Sequence, residues 1–224
     1  MDESAIPLPG RCTDIVAQKK QKDRVSLFVE GIYLDGFHRD VIYRAGIIKG
    51  DLITEELLRE LVRSERQYLL HNQICRWLAI RNHSSREIYD KSLARGYTLD
   101  ETREALEPFI ERGYQDDALF AETFSREKKE INGWGPAKIR NALAQKGVKK
   151  QYIDTALEII FTDQQLINAI ETAAKSACKR LMRTEPGLKR KSKLVNFLIR
   201  RGFPGYLVME KCDELLKKLG NEEL

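Results

Sequence analysis

Apolar side chains return at intervals of three and four along most of this chain. One such phrase comes back three times and closes each time on a glycine: Ile88 to Gly96, Ile139 to Gly147 and Leu194 to Gly202. Eight positions before the glycine stand Ile88, Ile139 and Leu194; three or four before it stand Leu93, Leu143 and the pair Leu198 and Ile199. Those intervals place the apolar side chains on one helical face. Tyr97, Val148 or Phe203 follows the glycine, and Leu106, Leu157 or Cys212 stands ten positions after it, so a second helix is expected. A phrase recurring at this spacing predicts repeated units.

The ends of the phrase are marked as well. A helix often closes with a left-handed residue just past its last turn, and glycine adopts that conformation without a Cβ penalty. Arg95, Lys146, and Arg200 with Arg201 precede the three glycines and suit the negative end of the helix dipole. Ser84 with Glu87 has the spacing of a capping box before Ile88, and Gly135-Pro136 places proline at a first helical position. In the third copy Arg190 stands at that position, and the start is less clearly marked.

Each glycine-closed helix has a helical stretch on either side, which makes a unit of three helices. The first unit spans Glu65 to Ile80, Ser85 to Arg95 and Asp100 to Arg112. The second spans Asp117 to Ile131, Pro136 to Lys146 and Lys150 to Phe161, and the third Asp163 to Arg183, Lys191 to Arg201 and Tyr206 to Leu219. The expected fold is mainly α, with tandem three-helix repeats in an elongated curved array and a small N-terminal β-hairpin element. The divisions fall at 1–60 for the N-terminal extension, then 61–113, 114–162 and 163–224 for the repeats. A compact helical bundle with accidental similarity is the alternative.

Before residue 60 the period changes. Val25 to Val29 alternates, Glu30-Gly31 has the form of a two-residue turn, and Ile32 to Leu34 resumes the extended pattern. Cys12 to Lys19 is available as a third strand, and short helices are expected near Asp40 to Ala45 and over Thr54 to Arg63. A lone hairpin is marginal, so this element either packs on helices or pairs with something else.

Composition narrows the function. The 224 residues are 42% hydrophobic and 33% charged, ordinary for a soluble helical protein, and no apolar run approaches a membrane span. Met1-Asp2-Glu3-Ser4 lacks the basic-then-apolar order of a secretory signal, which points to the cytoplasm. Cys12, Cys75, Cys178 and Cys212 show no CxxC pairing, and His38, His71 and His83 no ligand spacing, so reduced thiols and no metal are expected. Asp116-Asp117 has no second acidic cluster beside it, and helix capping explains it better than metal chemistry. Tyr114 and Phe120 on either side are read as core anchors. There is no phosphate-cradling loop, no GxSxG and no nucleophile with a recognisable base. A binding protein without cofactor is expected rather than an enzyme.

Charge is uneven. Residues 1 to 120 carry 18 basic and 21 acidic side chains, whereas residues 121 to 224 carry 21 basic and 13 acidic. Between Lys175 and Arg201 ten cations face a single acid, Glu185. Such a block either repels itself in solvent or meets a polyanion or an acidic partner. Trp134, in the turn Gly133-Trp134-Gly135-Pro136, either plugs the gap between helix ends or stacks on a partner; the structural role is favoured.

Three stretches together resemble the RecX family of recombinase regulators: Arg81-Asn82-His83-Ser84-Ser85-Arg86-Glu87-Ile88, Gly113-Tyr114-Gln115-Asp116-Asp117-Ala118-Leu119-Phe120-Ala121, and Gly135-Pro136-Ala137-Lys138-Ile139-Arg140 leading to Lys146-Gly147-Val148. The resemblance is clear over 65 to 160 and weak over 165 to 219. It implies three tandem three-helix repeats and a non-enzymatic activity in recombination, DNA repair and the SOS response. That activity is binding of a RecA-type recombinase and its filament on single-stranded DNA, restraining recombination and co-protease function, by a monomer with weak, non-specific DNA affinity of its own.

The contact residues follow from charge, since the family brings no catalytic signature. They are Lys138, Arg140, Lys146, Lys149 and Lys150 from the second unit, with Lys175, Lys179, Arg180, Arg183, Lys189, Arg190, Lys191, Lys193, Arg200 and Arg201 from the third. Arg76, Arg81, Arg86, Lys91 and Arg95 are weaker candidates. A duplex-reading module of helix-turn-helix type is the competing expectation, and a scaffold binding only protein is a third. The first of these binds specific duplex without recombinase, and the second shows no salt-sensitive DNA binding.

Overall fold

The computed structural model describes residues 8–185 and 187–221. Met1 to Ser4, read above against the order of a secretory signal, lies outside the described residues. The chain divides into two compact units, residues up to 80 with 92–108, and residues 81–91 with 109 onward. Among the described residues no helix is long and apolar enough to cross a membrane.

In the N-terminal unit the alternating segment folds as read. Strand β2 (Arg24–Val29) buries Leu27 and Val29, and turns into β3 (Ile32–His38) through Glu30 and Gly31. Both turn residues have positive φ, 51° and 82°, the geometry that matches the right-handed twist of a hairpin. The hairpin is not alone. Strand β1 (Gly10–Ala17) pairs antiparallel with β2, and β4 (Leu52–Ile53) pairs with the start of β1, giving the order β3-β2-β1-β4. The sheet covers a core of Cys12, Leu27, Val29, Phe37, Ile53 and Leu61.

Helix α1 (Arg39–Arg44) follows, with the His38 ring accepting from the backbone N–H of Asp40 at 3.2 Å. The next helix, α2 (Glu55–Ile80), is continuous through Ser64, where the apolar pattern divides into two helices. The pattern breaks there because Glu65 takes a buried position. Its carboxylate accepts from the Arg24 guanidinium at 2.6 Å and from the backbone N–H of His38 at 2.7 Å, which satisfies the charge. No glycine or proline interrupts the helix.

Helices α3 (Ser85–Leu93) and α4 (Leu99–Glu111) come next in the chain. Leu93, expected in the core, is 44% exposed, and Ser92 occupies the buried position four before the glycine, matching Leu143 and Leu198. In the C-terminal unit α5 (Asp117–Glu130), α6 (Pro136–Gln145) and α7 (Lys150–Ile160) close around Phe120, Ile139, Leu143, Ile153 and Leu157. Then α8 (Asp163–Ser176), α9 (Cys178–Met182), α10 (Leu188–Arg200) and α11 (Gly205–Asn221) close around Ile170, Leu181, Leu194, Leu198, Phe203 and Cys212.

Two readings change here. The helix expected over Asp163 to Arg183 is interrupted at Ala177, and α10 starts at Leu188 rather than Lys191 because Gly187, at φ 97°, supplies the turn into it. Tyr114 is exposed and Gln115 is buried in its place, since Gly113 reverses the chain at φ 70° and turns the next side chain inward. Phe120 is buried, as expected of an anchor.

Candidate partner-binding surface

The glycines that end α6 and α10 do more than terminate helices. Gly147 has φ 74° and lies against Arg86, in the first turn of α3; a Cβ there would stand 2.6 Å from the Arg86 Cβ. Gly202 has φ 91° and lies against Lys138, in the first turn of α6, where a Cβ would again stand 2.6 Å from the neighbouring Cβ. Gly135 completes that second joint from the other side, with its own Cβ position 2.5 Å from the Gly202 carbonyl carbon. In each case the tail of one middle helix docks on the head of the middle helix before it.

The first joint is finished by side chains. Ser84 Oγ donates to the Lys146 carbonyl at 2.8 Å, while its capping partner Glu87 accepts from Lys146 Nζ at 2.6 Å and from Arg81 at 3.0 Å. Burial works against the charged form of Glu87, but the hydrogen bonds from Arg81 and Lys146 outweigh it and hold the carboxyl down at about 2. Neighbouring His83 has its Nδ1 2.9 Å from the Arg81 carbonyl, and burial pushes its imidazole below the ordinary value.

The second joint is finished by backbone. The Gly135 N–H donates to the Arg201 carbonyl at 2.7 Å and the Ala137 N–H to the Gly202 carbonyl at 3.0 Å. Free amides at the start of α6 thereby meet free carbonyls at the end of α10, positive dipole end to negative. The Arg201 guanidinium donates onward to the Asn132 carbonyl.

Around these joints cations alternate with aromatic rings. Lys128 and Lys146 sit over Phe124 at 5.1 and 5.6 Å; Lys138 sits over Trp134 at 4.5 Å; Arg201 and Arg180 sit over Phe197 at 5.0 and 5.1 Å. Three of these pairs are four residues apart in the chain: Phe124 with Lys128, Trp134 with Lys138, Phe197 with Arg201. Trp134 itself is half-buried and packs on the core of α5 to α7, the structural role expected of it. Beside Phe124, Arg81, Lys128 and Lys146 line a cleft of about 350 Å³. Rings flanked by fixed positive charge offer a partner both flat apolar contact and anion attraction.

The cations chosen by charge divide into groups. Lys138, Lys146 and Arg201 are the joint residues just described. Arg140 is tied to Asp154, Lys191 to Asp213 at 2.7 Å, and Arg190 donates to the Thr184 carbonyl at 2.7 Å. Lys189 reaches Glu185 at 3.3 Å, Lys193 reaches Thr184 Oγ1 at 3.0 Å, and Arg200 reaches the Asn196 carbonyl at 3.2 Å, all at exposed positions. Arg180 and Lys175 are exposed. Lys149, Lys150, Lys179 and Arg183 are exposed and form no ion pair among the described residues. Charge counting missed Phe124 and Phe197, although the four-residue spacing to a cation was present in the sequence.

Asp116 caps α5, accepting from the backbone N–H groups of Ala118 and Leu119 at 2.7 and 3.3 Å. Asp117 accepts from the Ser85 N–H at 2.8 Å and from Gln115 at 2.9 Å, which ties the start of α3 to the start of α5. Both carboxylates are thus occupied in holding helix ends.

These features define the class: a tandem helical-repeat protein carrying an N-terminal antiparallel sheet. The family model "RecX, second three-helix domain" matches residues 116–157, and "Regulatory protein RecX N-terminal domain" matches residues 10–54. "Regulatory protein RecX" of Prosthecochloris aestuarii is 31% identical over 150 residues, covering 65% of this chain and 92% of the relative. Its namesake in Clostridium perfringens is 25% identical over 214 residues, covering 96% of this chain and 98% of the relative. A solved structure, "Crystal structure of regulatory protein RecX", shares the fold with a TM-score of 0.71 at 22% identity, over 89% of this chain and 97% of that one. This chain belongs to the RecX family.

Proposed function

We propose that this chain binds a RecA-type recombinase and its filament on single-stranded DNA, and restrains strand exchange, ATP turnover and co-protease activity. It acts as a cytoplasmic monomer without a cofactor, each three-helix repeat serving as a binding segment. The observation that carries this reading is the row of cation–aromatic pairs spread over the joints of the C-terminal unit. Lys149, Lys150, Lys179 and Arg183 meet phosphates or acidic recombinase side chains, while Lys138, Lys146 and Arg201 hold the repeats in register. Contact with several protomers gives avidity from individually modest pairs, and binding favours the filament state of low ATP turnover.

The test is to titrate the full chain into a RecA-type recombinase on single-stranded DNA and follow ATP hydrolysis. Suppression below one chain per recombinase is expected, and it weakens when Lys149, Lys150, Lys179 and Arg183 are changed together to glutamate. Unaltered hydrolysis at equal stoichiometry overturns the proposal, and full suppression by the glutamate variant overturns the assignment of contacts.

A further inference from the structure

The N-terminal unit contains a separate cleft, of about 600 Å³, that the proposed function leaves unused. Three pieces of chain build its wall. The turn between β1 and β2 brings Lys20 and Lys22, one face of α2 brings Tyr68 and Arg76, and the segment after α3 brings Arg95 and Tyr97.

The floor of the cleft is chemically closed. Arg24 is spent on Glu65 and on the Gly36 carbonyl, and Tyr68 donates to Asp40 at 3.3 Å, so no buried charge waits there for a ligand. The rim is different. Lys20, Lys22 and Arg76 are exposed and form no ion pair among the described residues, and Asp23 is the one acid in the lining. Uncompensated like charges that the fold holds around one opening lower their mutual repulsion when an anion enters.

The rings decide which anion. Tyr97 is braced by the Arg66 guanidinium 5.0 Å from its centroid, and Arg66 is itself held by Glu101 at 2.6 Å. Tyr68 is braced by the His38 ring at 4.2 Å, and Arg95 is steadied over Trp77 at 4.9 Å. Braced aromatic planes beside loose cations make the pairing of base stack and phosphate contact that single strands use. A free nucleoside polyphosphate asks instead for a backbone cradle and carboxylates for its divalent ion; the lining offers cations from three separate segments and a single carboxylate.

We propose that this cleft holds a short stretch of single-stranded nucleic acid, with successive phosphates on Lys20, Lys22 and Arg76 and a base against Tyr97. It shares its ligand chemistry with the proposed function but belongs to the other unit, and it stands whether or not a recombinase is bound. The test is photo-crosslinking of the full chain to a short oligothymidylate carrying 5-iodouracil, with the adduct mapped to a peptide. An adduct at Tyr97 or Tyr68 is expected, and Lys20→Glu, Lys22→Glu and Arg76→Glu together abolish it, with circular dichroism unchanged because the three form no ion pair among the described residues.

Affinity by fluorescence anisotropy is measured in the variant already lacking Lys149, Lys150, Lys179 and Arg183. There the three further changes weaken oligonucleotide binding by about tenfold or more. Tyr97→Leu loses any adduct at position 97 and weakens binding, whereas Tyr97→Phe keeps the affinity. Adducts confined to residues beyond 108 overturn the cleft while leaving recombinase inhibition intact. Loss of the adduct to ATP at equal phosphate concentration overturns the strand in favour of a free nucleotide.

Discussion

At the joint between α6 and α3 a cluster of charge completes the contact, whereas between α10 and α6 backbone hydrogen bonds do so, with the Arg201 guanidinium added on the Asn132 carbonyl. Ser84, Glu87, Lys146 and Arg81 share four side chains across the first joint. At the second, Gly135 and Ala137 donate their own amides, and two glycine backbones come within a distance that no Cβ fits. The docking is the same and both joints exclude a Cβ, yet the first is sensitive to protonation as well. Repeats that stack by nearest-neighbour contacts thus reach similar interfaces through different chemistry.

The largest expected effect lies at the second joint. Gly202→Ala drives a Cβ into backbone and adds strain at positive φ, and should cost about 3 kcal/mol or more, read as a loss of melting temperature. Gly147→Ala meets Arg86 Cβ and Cγ at 2.6 and 2.8 Å, atoms held close to the helix backbone, and with its φ of 74° about 2 kcal/mol or more is expected because the α3 turn must shift to make room. Gly96→Ala, with nothing within 4 Å of its Cβ position, should lose only about 1 kcal/mol for its φ of 81°. Equal losses at Gly202 and Gly96 would show that close approach plays no part.

Acid should separate the joints next. Glu87 has a folded value of about 2 against an ordinary 4.5, so its contribution is present above pH 4.5 and fades as pH falls toward 2. Discounted for solvent screening, it is worth about 1 to 2 kcal/mol. His83 fades earlier, as pH drops below its ordinary 6.5, because burial disfavours the imidazolium. Denaturant titrations of Glu87→Gln between about pH 7.5 and 2.5 should lack the lower step and retain the upper one; a variant with the same acid profile as the parent would exclude the Glu87 cluster.

The smallest effect on stability is expected at the exposed cations. Changing Lys149, Lys150, Lys179 and Arg183 singly to glutamate should move stability by within about 0.5 kcal/mol, while the salt slope of single-strand binding falls with each phosphate contact removed. A large stability loss would make these cations part of the joints rather than of the surface.

Local signals were the readable ones. The three closing glycines, the Ser84 and Glu87 capping box, the Asp116 cap and the Glu30-Gly31 turn each depend on residues a few positions apart, and each is where the sequence placed it. What the sequence hid depends on distant partners. Gly147 and Gly202 serve helix ends far back along the chain, and Glu65 looks like a break in a helix until Arg24 and the His38 amide are brought to it. Strand β4 is too short, at two residues, to show alternation. In the candidate surface the cations were legible but their duties were not: spacing alone does not tell Lys146, spent on Glu87, from Lys150, which forms no ion pair among the described residues.

Helix α6 is received at its head by Gly202 and inserts its own tail, through Gly147, against α3. Every link points the same way, so the array has a direction, and its ten-residue central link is the fulcrum on which displacement of either neighbour must turn. A partner that tilts α10 would therefore be felt at Ser84 without touching it.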